Sequence, residues 1–142
     1  MLPSEIRKQI RLEHEYILML VRKARANGTA SLPDMSRIAQ ELITFLVGHI
    51  HREEEELVPH LRDNTNWSEV NEKELRDHHA SQRNDFHALS QAIEAAGEVT
   101  PSLKLRFEGF LDEIEKDVND ENVHLLTKAM LHDEPESDGF GA

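Results

Sequence analysis

The chain has 142 residues, no cysteine, and 28 Asp plus Glu against 16 Lys plus Arg, a formal charge of −12. That length suits one domain with a single core, and the acidity argues against nucleic acid and anionic membranes as partners. Without cysteine there are no disulfides, zinc–thiolate sites, iron–sulfur clusters or thiol nucleophiles, so any metal must be held by nitrogen and oxygen.

The first helix is predicted to begin at Pro3-Ser4, since proline is tolerated in a first turn, and to run to about Ala26. Asn27-Gly28 stops it. Its apolar stripe is Ile6, Ile10, Ile17, Leu20, Val21 and Ala24, and His14 lies on that stripe. Met1-Leu2-Pro3-Ser4-Glu5 lacks the basic and apolar segments of a signal peptide, and no apolar run reaches membrane-spanning length. A soluble, cytoplasmic protein is expected.

Ser31 or Asp34 caps the second helix, which is predicted to run to about Arg62, with Pro59 bending or ending its last turn. At about 100° per residue, Ile38, Leu42, Phe45, His49, Glu53 and Leu57 share one face. An imidazole and a carboxylate therefore interrupt an apolar stripe. Burying them costs several kcal/mol or more unless each finds a partner, and a cation partners both. Residues 63–67 form a polar loop whose Trp67 is expected to plug one end of the fold.

Ser68 caps the third helix. Leu75, Phe86, Leu89 and Ile93 lie on one face of it, together with His79 and Gln82, and Gly97 ends it. Thr100-Pro101-Ser102 opens the fourth helix, with Leu103, Phe107, Phe110, Ile114 and Leu125 on its stripe and Asp117 and Glu121 between the last two. Residues 132–142 are acidic, hold Pro and Gly, and are expected to be a disordered tail after a folded domain of residues 1–131.

Four helices with short connections and no competing strand pattern predict an all-α, up-down-up-down antiparallel four-helix bundle. The second and fourth helices also carry a faint repeat, in which Glu53 overlays Glu121, Leu57 overlays Leu125 and His49 overlays Asp117. Each helix has a polar break midway along its stripe: His14, His49 with Glu53, His79, and Asp117 with Glu121. An i, i+4 pair aims two donors at one point. Two pairs plus two single histidines give six donors, enough for two metals bridged by carboxylates. Imidazole and carboxylate without thiolate suit iron or manganese and permit zinc.

Asp117 lies toward one edge of its stripe, and His124 competes for its place, because Glu121-x-x-His124 has the i, i+3 spacing of ferritin-like di-iron proteins. His78 lies off the apolar face. His51, His60, His87 and His132 are expected in solvent, as are Glu54, Glu55 and Glu56, although one of these three could orient a ligating histidine.

The chain resembles the hemerythrin-like (HHE cation-binding) domains over roughly residues 5–130. The resemblance rests on His49-x-x-x-Glu53-Glu54 followed by Leu57-Val58-Pro59. It extends to Glu13-His14, to His78-His79 with Phe86 and Leu89, and to Glu121-Asn122 with Leu125-Leu126. It implies a four-helix bundle holding two iron ions, oxo- or hydroxo-bridged, with His14, His49, Glu53, His79 and Glu121 as ligands. It also implies a small ligand: oxygen, peroxide or nitric oxide. The chain departs from the family's pattern twice. Asp117 stands where a histidine is usual, and Arg83 stands where the oxygen carriers have a second histidine on the third helix. The more anionic donor set favours ferric iron, against reversible oxygen storage and toward oxidative, peroxide-handling or iron-sensing roles. No long exposed apolar face is apparent, so a monomer is expected.

Overall fold

A computed structural model describes residues 1–133. Among them there are four long helices and no strand. These are α1 (Pro3–Asn27), α2 (Leu32–Arg52), α4 (Glu69–Ala95) and α5 (Pro101–His124), with a π-helical turn (Glu53–Leu57) and a short α3 (Val58–Leu61) following α2. The expected tail falls outside the described residues from 134 onward. Its first residues are tied down, for Asp133 accepts hydrogen bonds from the Ser4 N–H at 2.8 Å and the Ser4 hydroxyl at 2.7 Å.

The caps follow from the sequence. The Ser31, Ser68 and Thr100 hydroxyls accept from the backbone N–H groups of Asp34, Asn71 and Leu103, each satisfying one donor that the first helical turn leaves unpaired. At the end of α1, Gly28 lets the chain pass close to α5. A Cβ there would stand 2.8 Å from the Phe107 ring and 2.6 Å from the Ala24 carbonyl.

One element was not expected. The second helical segment does not stay α-helical to Arg62. It widens into the π turn, in which the Val58 N–H bonds to the Glu53 carbonyl, five residues back. Pro59 follows at once. A proline ring clashes with the carbonyl four residues earlier in a regular α-helix, and a wider turn removes that conflict. Leu57 and Val58 are then both buried.

The helices form a bundle in which α1 packs on α2 and α5, and α4 packs on α2 and α5. The buried stripe of α5 is Leu103, Phe107, Leu111, Ile114 and Val118. Phe110 and Leu125, expected on that stripe, are only half-buried. The apolar interior divides into two clusters. The larger contains Ile17, Leu46, Ile50 and Val118. The smaller contains Ile6, Ile10, Leu57, Leu61, Leu126 and Leu131, with Trp67 packed against it as expected. Between them lies a layer of polar residues, buried except for the half-buried Glu121: His14 follows Ile10 and precedes Ile17, Glu53 stands between Ile50 and Leu57, and Glu121 lies between Val118 and Leu126. No described helix is long and apolar enough to cross a membrane.

Candidate metal centre

Each helix places its polar break in this layer through the same 3.6-residue period that sets its apolar stripe. His14 of α1, His49 and Glu53 of the second segment, and Glu121 of α5 each offer a ligand atom, and these atoms lie within 4.8 Å of one another. His14, His49 and Glu53 are at most 4 % exposed. His14 Nε2 is 3.0 Å from Glu121 Oε1, and His49 Nε2 is 2.7 Å from Glu53 Oε1 and 4.0 Å from Glu121 Oε1. The two imidazole rings are 4.9 Å apart. Such a cluster could hold a metal ion.

His79 of α4 stands at the margin of the group. It is fully buried, and its Nε2 is 4.0 Å from Glu53 Oε1. Its Nε2 and the Glu53 Oε2 atom are buried with no hydrogen-bond partner. Leaving such a group unpaired costs about 1–3 kcal/mol, so His79 Nε2 calls for a partner that the protein itself does not supply, while Glu53 is left to share a proton with the neighbouring Glu121 carboxyl.

The far side of each imidazole is engaged. His14 Nδ1 donates to Asn122 Oδ1 at 2.8 Å, His49 Nδ1 to Glu13 Oε1 at 2.8 Å, and His79 Nδ1 to Glu54 Oε1 at 3.3 Å. These bonds turn every Nε2 inward; those of His14 and His49 meet Glu121 and Glu53 through a proton that a bound cation would displace. The orienting groups are themselves held. Arg52 donates to Glu13 at 2.7 Å, and Arg83 and Arg76 donate to Glu54 at 2.6 and 3.1 Å. Each orienting residue is the sequence neighbour of a donor on its own helix, and it reaches a histidine of another helix. Of the three, only Glu54 belonged to a group singled out in the sequence as able to orient a histidine. The signal for Glu13 and Asn122 was their adjacency to His14 and Glu121, since a step of 100° moves a side chain to the flank facing the next helix.

The electrostatics mark a centre with more carboxylate charge than burial tolerates, so that protons held on Glu121 and His49 stand where a cation could replace them. Burial pushes the Glu121 carboxyl up, and the nearby Glu53 charge adds to it, bringing it to about 7. Burial acts the other way on His49, but the carboxylates of Glu53, Glu13 and Glu121 outweigh it and hold the imidazole up at about 10. His79 is pushed down, chiefly by burial, which keeps it neutral and able to donate a lone pair.

Asp117 does not join the cluster of four. Its Oδ2 accepts from Gln82 Nε2 at 2.9 Å and lies 3.2 Å from Nε2 of the exposed His78. It lines a small cavity beside the cluster, together with Gln82, Glu53 and Glu121. His124, the alternative for its place, is exposed at the end of α5 and also stands apart from the cluster. His51 and His87 are exposed as expected, whereas His60 and His132 are half-buried. Glu55 and Glu56 are exposed. Comparison of the chain with protein-family models, with curated proteins and with solved structures finds no match.

Proposed function

We propose that the protein is a hemerythrin-like, non-haem di-iron protein that handles oxygen, peroxide or nitric oxide beside an iron pair held by His14, His49, Glu53, His79 and Glu121. The observation that carries this reading is the common orientation of three histidines from three helices. Each has Nδ1 bound to an acceptor and Nε2 directed toward Glu53 or Glu121. His79 leaves its Nε2 without a partner, and His14 and His49 direct theirs at Glu121 and Glu53, the carboxylates that would share the iron with them.

In this reading the donors would be shared between two ions. Glu53 Oε1 has His49 and His79 as neighbours, and Glu121 Oε1 has His14 and His49. Each carboxylate thus has two imidazoles beside it and would supply charge shared between the ions. When bound, an iron pair supplies Lewis acidity and redox electrons; manganese or zinc would suit the same donors. The chain's own part is to hold the imidazoles in one tautomer, to keep water out with the two apolar clusters, and to supply bridging charge.

The antiparallel, up-down-up-down order belongs to the same reading. Lys23 meets Glu41 where Gln9 meets Glu56, and Arg25 meets Asp112 where Arg11 meets Leu126. Rising numbers on α1 thus pair with falling numbers on its neighbours. The test is metal analysis of purified or anaerobically iron-loaded protein together with its absorption spectrum. About two irons per chain with oxo-to-iron charge-transfer bands are expected; negligible iron after loading would end the proposal.

One observation favours a second reading, a sensing module whose stability depends on metal. Glu121 is a proposed ligand, and its carbonyl accepts the N–H groups of Leu125 and Leu126 where the chain turns into the closing segment. Arg11 and Arg7 of α1 hold that segment through the carbonyls of Leu126 and Leu131. Metal occupancy at Glu121 would therefore bear on how firmly the C-terminal segment closes the bundle.

A further inference from the structure

The cavity beside the ligand cluster has a polar wall that the proposed iron ligands do not account for. The cavity offers about 10 Å³ to the centre of a water-sized sphere, roughly the room that one water needs. Ile17, Leu46, Ile114 and Val118 make much of its lining apolar, and Gln82 and Asp117 interrupt that lining. Gln82 is three residues beyond His79 on α4, so the two share a helix face. Its amide donates to Asp117 at 2.9 Å. His78 Nε2 lies 3.2 Å from the same Asp117 oxygen; an amide carries two donors and an acceptor, and a carboxylate accepts at both oxygens, so the pair keeps one amide donor and the second carboxylate oxygen beyond these contacts.

We propose that Gln82 and Asp117 select the small molecule, admitting hydrogen peroxide in preference to an apolar diatomic. This rests on the iron reading above. Asp117 accepts a peroxide O–H, and Gln82 donates to a peroxide oxygen. Oxygen and nitric oxide carry no proton and are weakly hydrated, so an all-apolar lining would serve them. Peroxide gives up hydrogen bonds to water on entry, a loss that an apolar cavity leaves uncompensated. A positioned donor and acceptor restore those bonds and discriminate between ligands by doing so. The selection acts at binding.

The test uses the full iron-loaded chain with Gln82→Leu and, separately, Asp117→Asn. Three quantities are measured: iron per chain, the saturation constant for hydrogen peroxide followed by absorbance of the oxidised protein, and nitric oxide affinity of the reduced protein followed by absorbance. Unchanged iron is expected, with peroxide binding weakened about tenfold, since Gln82→Leu removes the donor and Asp117→Asn removes the charge from the acceptor. Nitric oxide affinity should stay within about twofold or rise. Peroxide binding that does not change, or that falls in step with nitric oxide, overturns the selection and leaves the iron reading intact. A wild-type chain that takes up no iron overturns both. Should Gln82→Leu lose iron, Asp117→Asn decides by the same ratio.

Discussion

His79 is the residue at which a structural and a metal-binding role diverge most sharply. It is fully buried, and its Nε2 has no partner. His79→Leu removes that unpaired nitrogen at nearly constant volume. Metal-free protein should therefore melt at the same temperature or higher, by up to about 1–3 kcal/mol of stability, while iron uptake falls. Calorimetry with and without chelator reads both effects; a large loss of apo stability would make His79 a structural histidine instead. Glu13 acts one bond away from the site. Burial pushes its carboxyl up, but the hydrogen bonds from His49 and Arg52 outweigh this and hold it ionised. Glu13→Gln keeps the shape and an acceptor for His49 but loses the charge. Metal affinity measured by chelator competition should fall about 10- to 100-fold with the helical content unchanged.

The π turn and its flanks are the parts of the fold whose local geometry matters most for the site. Glu53 opens the turn, and its N–H bonds to the carbonyls of His49 and Ile50, so the His49–Glu53 pair sits where the α-helix gives way. Pro59→Ala removes the ring that disfavours a regular helix here. The turn should relax toward α geometry, shifting Leu57 and Val58 relative to Glu53. Metal affinity is expected to drop with little change in far-ultraviolet circular dichroism; unchanged affinity would separate the turn from the site. Farther along, Arg62 clasps Glu72 with two bonds of 2.7 and 2.8 Å, joining the end of α3 to the first turns of α4. The Arg62 hydrogen bond holds the Glu72 carboxyl down at about 2. A depressed carboxyl stabilises the fold above its ordinary range, near 4.5, and that contribution is lost as pH falls through about 2. The clasp is near the surface, so solvent screens much of the effect. Glu72→Gln should accordingly flatten the fall of melting temperature between those two pH values; an acid limb identical to wild type would show that the clasp does not contribute.

For the whole molecule, a polar layer divides two apolar clusters, and the smaller cluster is closed by Leu126 and Leu131 from the C-terminal segment. Metal bound only by the folded chain raises stability by mass action, about 2.7 kcal/mol at a hundredfold excess over the dissociation constant. Iron added anaerobically should raise the melting temperature of wild-type protein, and the gain should vanish in His49→Ala. A gain of equal size in both would place the metal elsewhere on this acidic surface. The same titration distinguishes a sensing role, because amide exchange in residues 125–133 should slow with iron more than exchange in the α4–α5 connection.

Periodicity disclosed the helices and the polar breaks at His14, His49, Glu53, His79, Asp117 and Glu121, and cap chemistry pointed to Ser68, Thr100 and either Ser31 or Asp34, of which Ser31 is the cap. Those features are local: a hydroxyl reaches its own first turn, and a stripe repeats every 3.6 residues along one helix. What lay between helices was not legible. Nothing in sequence spacing says that Glu13 orients His49, that Asn122 orients His14, or that Asp117 turns to Gln82 and His78 rather than into the cluster. The rotation and depth at which one helix meets another decide those contacts, and both depend on side-chain packing across the whole interior. The π turn falls between the two cases, since Pro59 announced a disturbance whose form depended on burying Leu57 and Val58 together.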